Sequence, residues 1–208
     1  TIPILTGIKV VATEEGVTLT GSDADISIES FIPVEDNGKE IVEVAQSGSI
    51  ILQAKYFSEI VKKLPKETVE ISVENHFMTK IISGKSEFNL NGLDSAEYPL
   101  LPQIEEHHVF KIPTDLLKHM IRQTVFAVST SETRPILTGV NWKVYNSELT
   151  CIATDSHRLA LRKAKIEGIA DEFQANVVIP GKSLNELSKI LDESEEMVDI
   201  VITEYQVL

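Results

Sequence analysis

The string Pro3-Ile4-Leu5-Thr6-Gly7 recurs unchanged as Pro135-Ile136-Leu137-Thr138-Gly139, 132 positions later. At the same offset Val17 matches Leu149, Thr18 matches Thr150 and Asp23 matches Asp155. A match held at constant offset over some two dozen positions implies duplication of a structural unit, which constrains the fold more than any single motif. Farther on, Val69–Val73 aligns with Val198–Ile202 at an offset of 129.

The two copies are unequal at their ends. The second has an extended piece and a helix pattern from Val109 to Glu132 ahead of its motif, where the first has only Thr1 and Ile2. The first runs on through two more strand-like segments to about Pro102, whereas the second stops at Leu208. The expectation is a piece of a longer chain, its first copy short of an opening strand and helix and its second short of closing strands. The domains are expected at 1–104 and 105–208, joined by a connector over Leu101–His107.

A hydrophobic fraction of 42% suits packed cores. No apolar run approaches the ~20 residues of a membrane helix. The single Cys151 excludes an intrachain disulfide and, within Leu149-Thr150-Cys151-Ile152, reads as a buried strand residue. A reducing cytoplasm fits. The net charge of −13 divides as −8 over residues 1–104 and −5 over 105–208. That balance argues against a conventional basic nucleic-acid module.

Alternation marks strands at Val17–Thr20, Asp25–Glu29, Ile41–Val44 and Ser86–Leu90, separated by turn signals at Glu15-Gly16, Asp36-Asn37-Gly38, Glu74-Asn75 and Ser83-Gly84. Three segments carry helical spacing: Tyr56 to Leu64, Leu116 to Val128, and Leu184 to Leu191. The last two share the lead-ins Lys111-Ile112-Pro113 and Val178-Ile179-Pro180, 67 residues apart. Each domain therefore reads as two smaller strand-helix-strands units. Opposite the apolar stripes lie Lys55, Lys62 and Lys63, then Lys118 and Arg122, then Lys182 and Lys189. Such charges ordinarily mark a solvated face. They also fit three helices aimed at one polyanion, with acidic surface elsewhere limiting random adhesion.

No catalytic motif is complete. Ser83-Gly84-Lys85-Ser86 and Gly181-Lys182-Ser183 lack the upstream Gly of a phosphate loop and read as turns. His107 and His108 have no ligand-spaced companions, so neither a metal nor any other cofactor is expected. Asp155-Ser156-His157 offers three catalytic residue types, and a small hydrolase built on them is the alternative to a non-catalytic reading. Successive strand side chains point to opposite faces, however, and Asp23 and Asp155 are better suited to closing Asx turns.

The segments Ser129–Val140, Ala153–Ala160 and Asp94–Pro99 resemble the bacterial replicative sliding clamp, the beta subunit of DNA polymerase III, in its Gram-positive form. The resemblance covers essentially the whole chain. It implies an α+β DNA-clamp fold of repeated domains, with sheets outside and helices lining a ring, and a third domain lying beyond Leu208. It implies a non-enzymatic processivity factor, cytoplasmic and nucleoid-associated, in which two chains close head-to-tail around duplex DNA. Lys55, Lys62, Lys63, Lys118, Arg122, Lys182 and Lys189 would then face phosphate without reading sequence, with the Thr130–Thr133 loop near the DNA. It further implies a pocket that captures short Gln- and Leu-containing peptides of the replicative polymerase alpha-type subunit, the clamp loader, repair polymerases and mismatch-repair proteins. The side of that pocket carried here would be Arg134, Ile136, Leu137, Thr154, Ser156, His157, Arg158 and Leu159, with the remainder beyond Leu208.

Overall fold

Strand runs directly into helix at three places, and these junctions organise the molecule. The computed structural model describes all residues except 1–2, 24, 66–67, 102–103, 105–108 and 171. Most of the expected connector, together with Thr1, Ile2, His107 and His108, thus lies outside the described residues. Two units are present, Thr1–Leu101 and Pro102–Leu208.

The first unit contains β1 (Gly7–Thr13), β2 (Gly16–Ser22), β3 (Ser27–Pro33), the short β4 (Glu35–Asp36) and β5 (Lys39–Glu40), and β6 (Gly48–Gln53). Next come α1 (Ala54–Lys63), β7 (Glu70–Val73), β8 (Met78–Ser83) and β9 (Ser86–Asn91). An antiparallel sheet has the order β3-β2-β1-β6, and a second has β7-β8-β9. The second unit contains β10 (Val109–Pro113), α2 (Thr114–Arg122), β11 (Gly139–Tyr145), β12 (Glu148–Thr154) and β13 (Leu159–Lys165). It closes with β14 (Ala175–Pro180), α3 (Gly181–Ile190) and β15 (Met197–Val201). Its sheets are β13-β12-β11-β14 and β10-β15.

The duplication is therefore structural. The 3-10 turns Pro3–Thr6 and Pro135–Thr138, and the three strands after each, all stand 132 apart. The glycine that ends the repeated string is there for space. A Cβ on Gly139 would meet Val178 Cγ1 at 2.5 Å and the Ile179 carbonyl at 2.7 Å, and one on Gly7 would crowd the counterpart Ile51. Beyond β3 and β13 the offset falls to 127, because the β4–β5 hairpin makes the link to β6 longer than the link to β14. Both helices are then followed by six residues, so β7 and β15 also start 127 apart, not the 129 expected from residue similarity.

Pro113 and Pro180 end their strands on sheet edges, where a missing N–H costs no ladder bond, and the helices start at the next residue. The apolar stripes face inward in part: Tyr56 and Val61 of α1 and Ile190 of α3, expected on the inner side, stay exposed. In the second unit Leu117, Met120 and Ile121 of α2 and Leu184 of α3 join Val140, Trp142, Val144, Leu149 and Cys151 from the sheet in one core. In the first, Phe57 of α1 packs with Ile50, Leu52 and Ile81.

Three local expectations need correction. Residues 41–44 form no strand, since the Ile41 and Val42 N–H groups both donate to the Val34 carbonyl instead of a sheet partner. The second helix stops at Arg122, where the Thr124 hydroxyl donates to the Met120 carbonyl at 2.8 Å and takes an acceptor a further turn would need. Gly181-Lys182-Ser183 opens α3 and is no turn, whereas Ser83–Ser86 does close the β8–β9 hairpin. Among the described residues, no helix is long and apolar enough to cross a membrane.

Candidate functional site

The repeated aspartates build the same turn twice. Asp23 Oδ1 accepts from the N–H groups of Asp25 and Ile26, both at 2.8 Å. Asp155 Oδ1 accepts from those of His157 and Arg158, 132 positions on, at 2.9 and 3.0 Å. These backbone donors, first His157 and then Arg158, hold the Asp155 carboxyl below the usual range. Its Oδ2 accepts from Arg158 Nε at 3.0 Å. A triad would need that carboxylate on the imidazole, and Ser156 is held in the turn at φ +80°. The hydrolase alternative has no support.

Arg158 is fixed on three sides. Besides Asp155, its terminal nitrogen donates to the Phe126 carbonyl at 2.7 Å, and the guanidinium lies 5.6 Å from the Phe126 ring centroid. The Thr154 hydroxyl donates to the Arg158 carbonyl at 2.7 Å and accepts from the Ser156 N–H at 3.2 Å. The β12–β13 turn is thus held by its own hydrogen bonds, and it presents Leu159, paired with Thr154 across the ladder.

Beside it lies a concavity of about 220 Å³, with Ile136, Leu137 and Thr154 at its rim and Gly139, Asn141, Ile152 and Val178 at its floor. Ile136 is 69% exposed and Leu159 65%. Arg134 and His157 are exposed nearby in sequence, on the 3-10 lead-in and the Asx turn. The sequence-predicted residues therefore fall on two adjoining pieces: the lead-in to β11 (Arg134, Ile136, Leu137) and the β12–β13 turn (Thr154 to Leu159). Gly139, Asn141, Ile152, Val178 and Phe126 were missed. Alternation could have found Ile152 and Asn141, two residues from Thr154 and Gly139 on the same strand face.

The corresponding place in the first unit is occupied. The counterpart of Ile136 is Ile4, which is buried and packs with Ile51, the counterpart of Val178, against Tyr98. Tyr98 reaches that place just after the 3-10 turn Ser95–Glu97, on a segment whose Leu93 bridges to Ile51, and its hydroxyl donates to the Thr20 carbonyl at 3.4 Å. One copy fills the feature with its own aromatic side chain. In the other it stays open among the described residues.

The candidate phosphate-facing cations differ in freedom. Lys55, Lys62 and Lys63 are exposed on α1, and the last two also suit the helix C-terminus. On α2, Lys118 is only 15% exposed, donates to the Leu191 carbonyl at 3.0 Å and lies 3.4 Å from Glu193. It acts as a cap for α3. Arg122 lies 3.8 Å from the same Glu193, and Lys189 pairs with Glu186 at 2.8 Å. Lys182 is exposed in the first turn of α3. The Thr130–Thr133 loop is held by a Ser131–Thr133 hydroxyl pair at 2.9 Å. Among the described residues no cluster of three His, Cys, Asp or Glu could hold a metal.

Duplicated strand-helix units, each a four-stranded sheet continuing into a helix with basic residues, define the class as a DNA-clamp fold. Residues 1–102 match the family profile described as DNA polymerase III beta subunit, N-terminal domain, and residues 111–208 match that of its central domain. The chain belongs to the DNA polymerase III beta subunit family. It is 74% identical over 208 residues to the beta sliding clamp of Bacillus subtilis, covering all of this chain and 55% of that protein. It is 52% identical to the beta sliding clamp of Staphylococcus aureus, with the same coverage of both. The crystal structure of the DNA polymerase sliding clamp from Bacillus subtilis superposes with a TM-score of 0.97 at 73% identity, over 100% of this chain and 54% of that one. A Streptococcus pneumoniae DNA polymerase III beta chain gives 0.92 at 39%, again over 100% and 54%. The chain thus spans about 55% of the length of the curated relatives it matches.

Proposed function

We propose that this chain forms part of a cytoplasmic, nucleoid-associated sliding clamp, a non-catalytic ring that encircles duplex DNA and tethers replication and repair proteins to it. The observation that carries this reading is the unbroken likeness, over all 208 residues, to proteins named beta sliding clamps. In this reading residues 1–104 and 105–208 are two successive clamp domains, and the ring closes head-to-tail with a second chain.

Lys55, Lys62 and Lys63 are the strongest candidates to meet phosphate, followed by Lys182, Lys189 and Arg122. Lys118 contributes mainly to the fold. Contacts with phosphate alone carry no sequence information, so the ring slides. Retention comes from topology, which reconciles DNA function with a net charge of −13. The rim formed by Ile136, Leu137, Thr154 and Leu159 takes the apolar side chains of a partner peptide, while Arg134, Ser156, His157 and Arg158 frame it. The peptides belong to the polymerase alpha-type subunit, the clamp loader, repair polymerases and mismatch-repair proteins.

The test loads a full-length clamp containing these residues onto a nicked circular plasmid with its loader and ATP. Protein that survives high salt on the circle and is lost after one linearising cut is the expected result. Equal salt sensitivity on circle and line, with an active loader, overturns the ring mechanism.

A further inference from the structure

The ladder register of the second unit arranges the side chains of one sheet face in rungs, all but the buried Thr150 at least partly open to solvent. One rung is Leu161, Ile152, Asn141 and Val178, which carries the floor of the concavity. The next, two residues along each strand, is Lys163, Thr150, Lys143 and Asn176. Two residues of strand span roughly 7 Å. Two exposed lysines therefore lie one rung from the apolar site. Lys143 sits 5.8 Å from the Tyr145 ring centroid, and Lys163 pairs with Glu148 at 3.0 Å. Neither contact holds its cation tightly, since an exposed pair of this kind contributes about 0–1 kcal/mol.

The counterparts of Lys143 and Lys163 in the first unit are Val11 and Phe31, so the scaffold itself does not call for basic residues here. The first unit also indicates how a segment crosses these rungs. Leu93 bridges to Ile51, at the apolar rung, and Ser95 Oγ lies 2.6 Å from Ser49 Oγ. Ser49 is the counterpart of Asn176, which shares a rung with Lys143. A segment seated in the second unit in the same way passes within about two residues from the apolar floor to the Asn176–Lys143 end of the lysine rung, with Lys163 two strands farther across the sheet.

We propose that this rung is a specificity element for docked peptides, in which Lys143 and Lys163 read acidic residues flanking the apolar anchors of an extended partner segment. Arg158 is held more firmly than either lysine, since Asp155, the Phe126 carbonyl and the Phe126 ring engage it together. The inference rests on the docking reading given above. It adds a preference that the apolar pocket cannot provide: of two segments with the same anchors, the one carrying carboxylates two to four positions away binds better.

Fluorescence anisotropy on a full-length clamp containing these residues tests it with two peptides of identical Gln- and Leu-containing anchor. One carries two flanking Glu, the other Gln at the same places. The acidic peptide is expected to bind about three- to tenfold tighter at low salt, with the advantage lost in Lys143→Gln/Lys163→Gln. The neutral peptide should bind both proteins alike, which also verifies the fold of the variant. Equal affinity of the two peptides for the wild-type protein, or an advantage that survives the double substitution, overturns the inference while leaving the pocket intact. Failure of either peptide to bind any form overturns the docking reading and this inference together. Loss of short-duplex DNA binding in the double variant, with peptide affinities unchanged, assigns the rung to nucleic acid and overturns it as well.

Discussion

Truncating Leu159 or Ile136 to Ala should weaken peptide docking far more than it weakens the fold. Complete burial of a Leu or Ile side chain is worth about 1.5–3 kcal/mol. With 65% of Leu159 and 69% of Ile136 still open to solvent, about two-thirds of that, ~1–2 kcal/mol each, is realised only when a partner covers them. Each substitution should therefore raise the Kd for an anchor peptide about 5- to 30-fold. Folding should lose only the remaining third, about 0.5–1 kcal/mol. Leu184 is the opposite case: it is 1% exposed in the core under α3, and Leu184→Ala should cost about 2–5 kcal/mol of stability. Anisotropy titrations and thermal melts on the same three variants separate the two effects. A Kd within twofold of wild type for both rim variants refutes the assignment of these side chains as anchors. A melt for Leu159→Ala as low as that of Leu184→Ala refutes the premise that its surface is held in reserve.

The thiol of Cys151, fully buried between strands, is pushed up to about 12 by burial. It should label with thiol reagents only at the rate of unfolding, and prompt labelling of the native protein at pH 8 would contradict the packing. Asp155 has a folded-state value below the ordinary 3.8, so its contribution to stability is complete above that value and fades as pH falls through the lowered one. Carboxyl NMR should give it a midpoint below 3.8, and Asp155→Ala, which removes the acceptor of both backbone N–H bonds, should disorder the β12–β13 turn. Lys62→Gln/Lys63→Gln should reduce the salt slope of duplex binding by about 1–2, and Lys118→Gln should barely change it while lowering the melting temperature.

Much of this was legible because duplication prints the scaffold twice. The repeated Pro-Ile-Leu-Thr-Gly string marks a 3-10 turn ending at a glycine with no room for a side chain. The repeated aspartate marks an Asx turn. Both are local, backbone-driven features, and local features survive divergence. The Ile41–Val44 error has the converse origin: alternation describes a strand's faces but says nothing about whether a partner strand exists. The offset of 129 failed because β-branched strands resemble each other in several registers, whereas helix lengths and loop counts admit only 127. The concavity was half legible. Its rim lies in contiguous motifs, but its floor gathers Asn141, Ile152 and Val178 from three strands whose adjacency only the ladder register specifies.

The two copies diverge where the scaffold leaves side chains without a structural duty. Position 4 of the first unit and position 136 of the second carry the same isoleucine on the same turn, yet Tyr98 covers one and solvent meets the other among the described residues. The second unit places His157 and Arg158 at the turn positions where the first has Asp25 and Ile26, and the same aspartate organises both pairs. The helices diverge in a similar way. On α1 the lysines stay open, whereas on α2 Glu193 draws in Lys118 and Arg122. In the clamp reading proposed above, cations neutralised on one helix and open on another would leave few strong phosphate contacts. Few strong contacts would suit a ring that slides, because every released counterion that strengthens binding also deepens the well that sliding must leave.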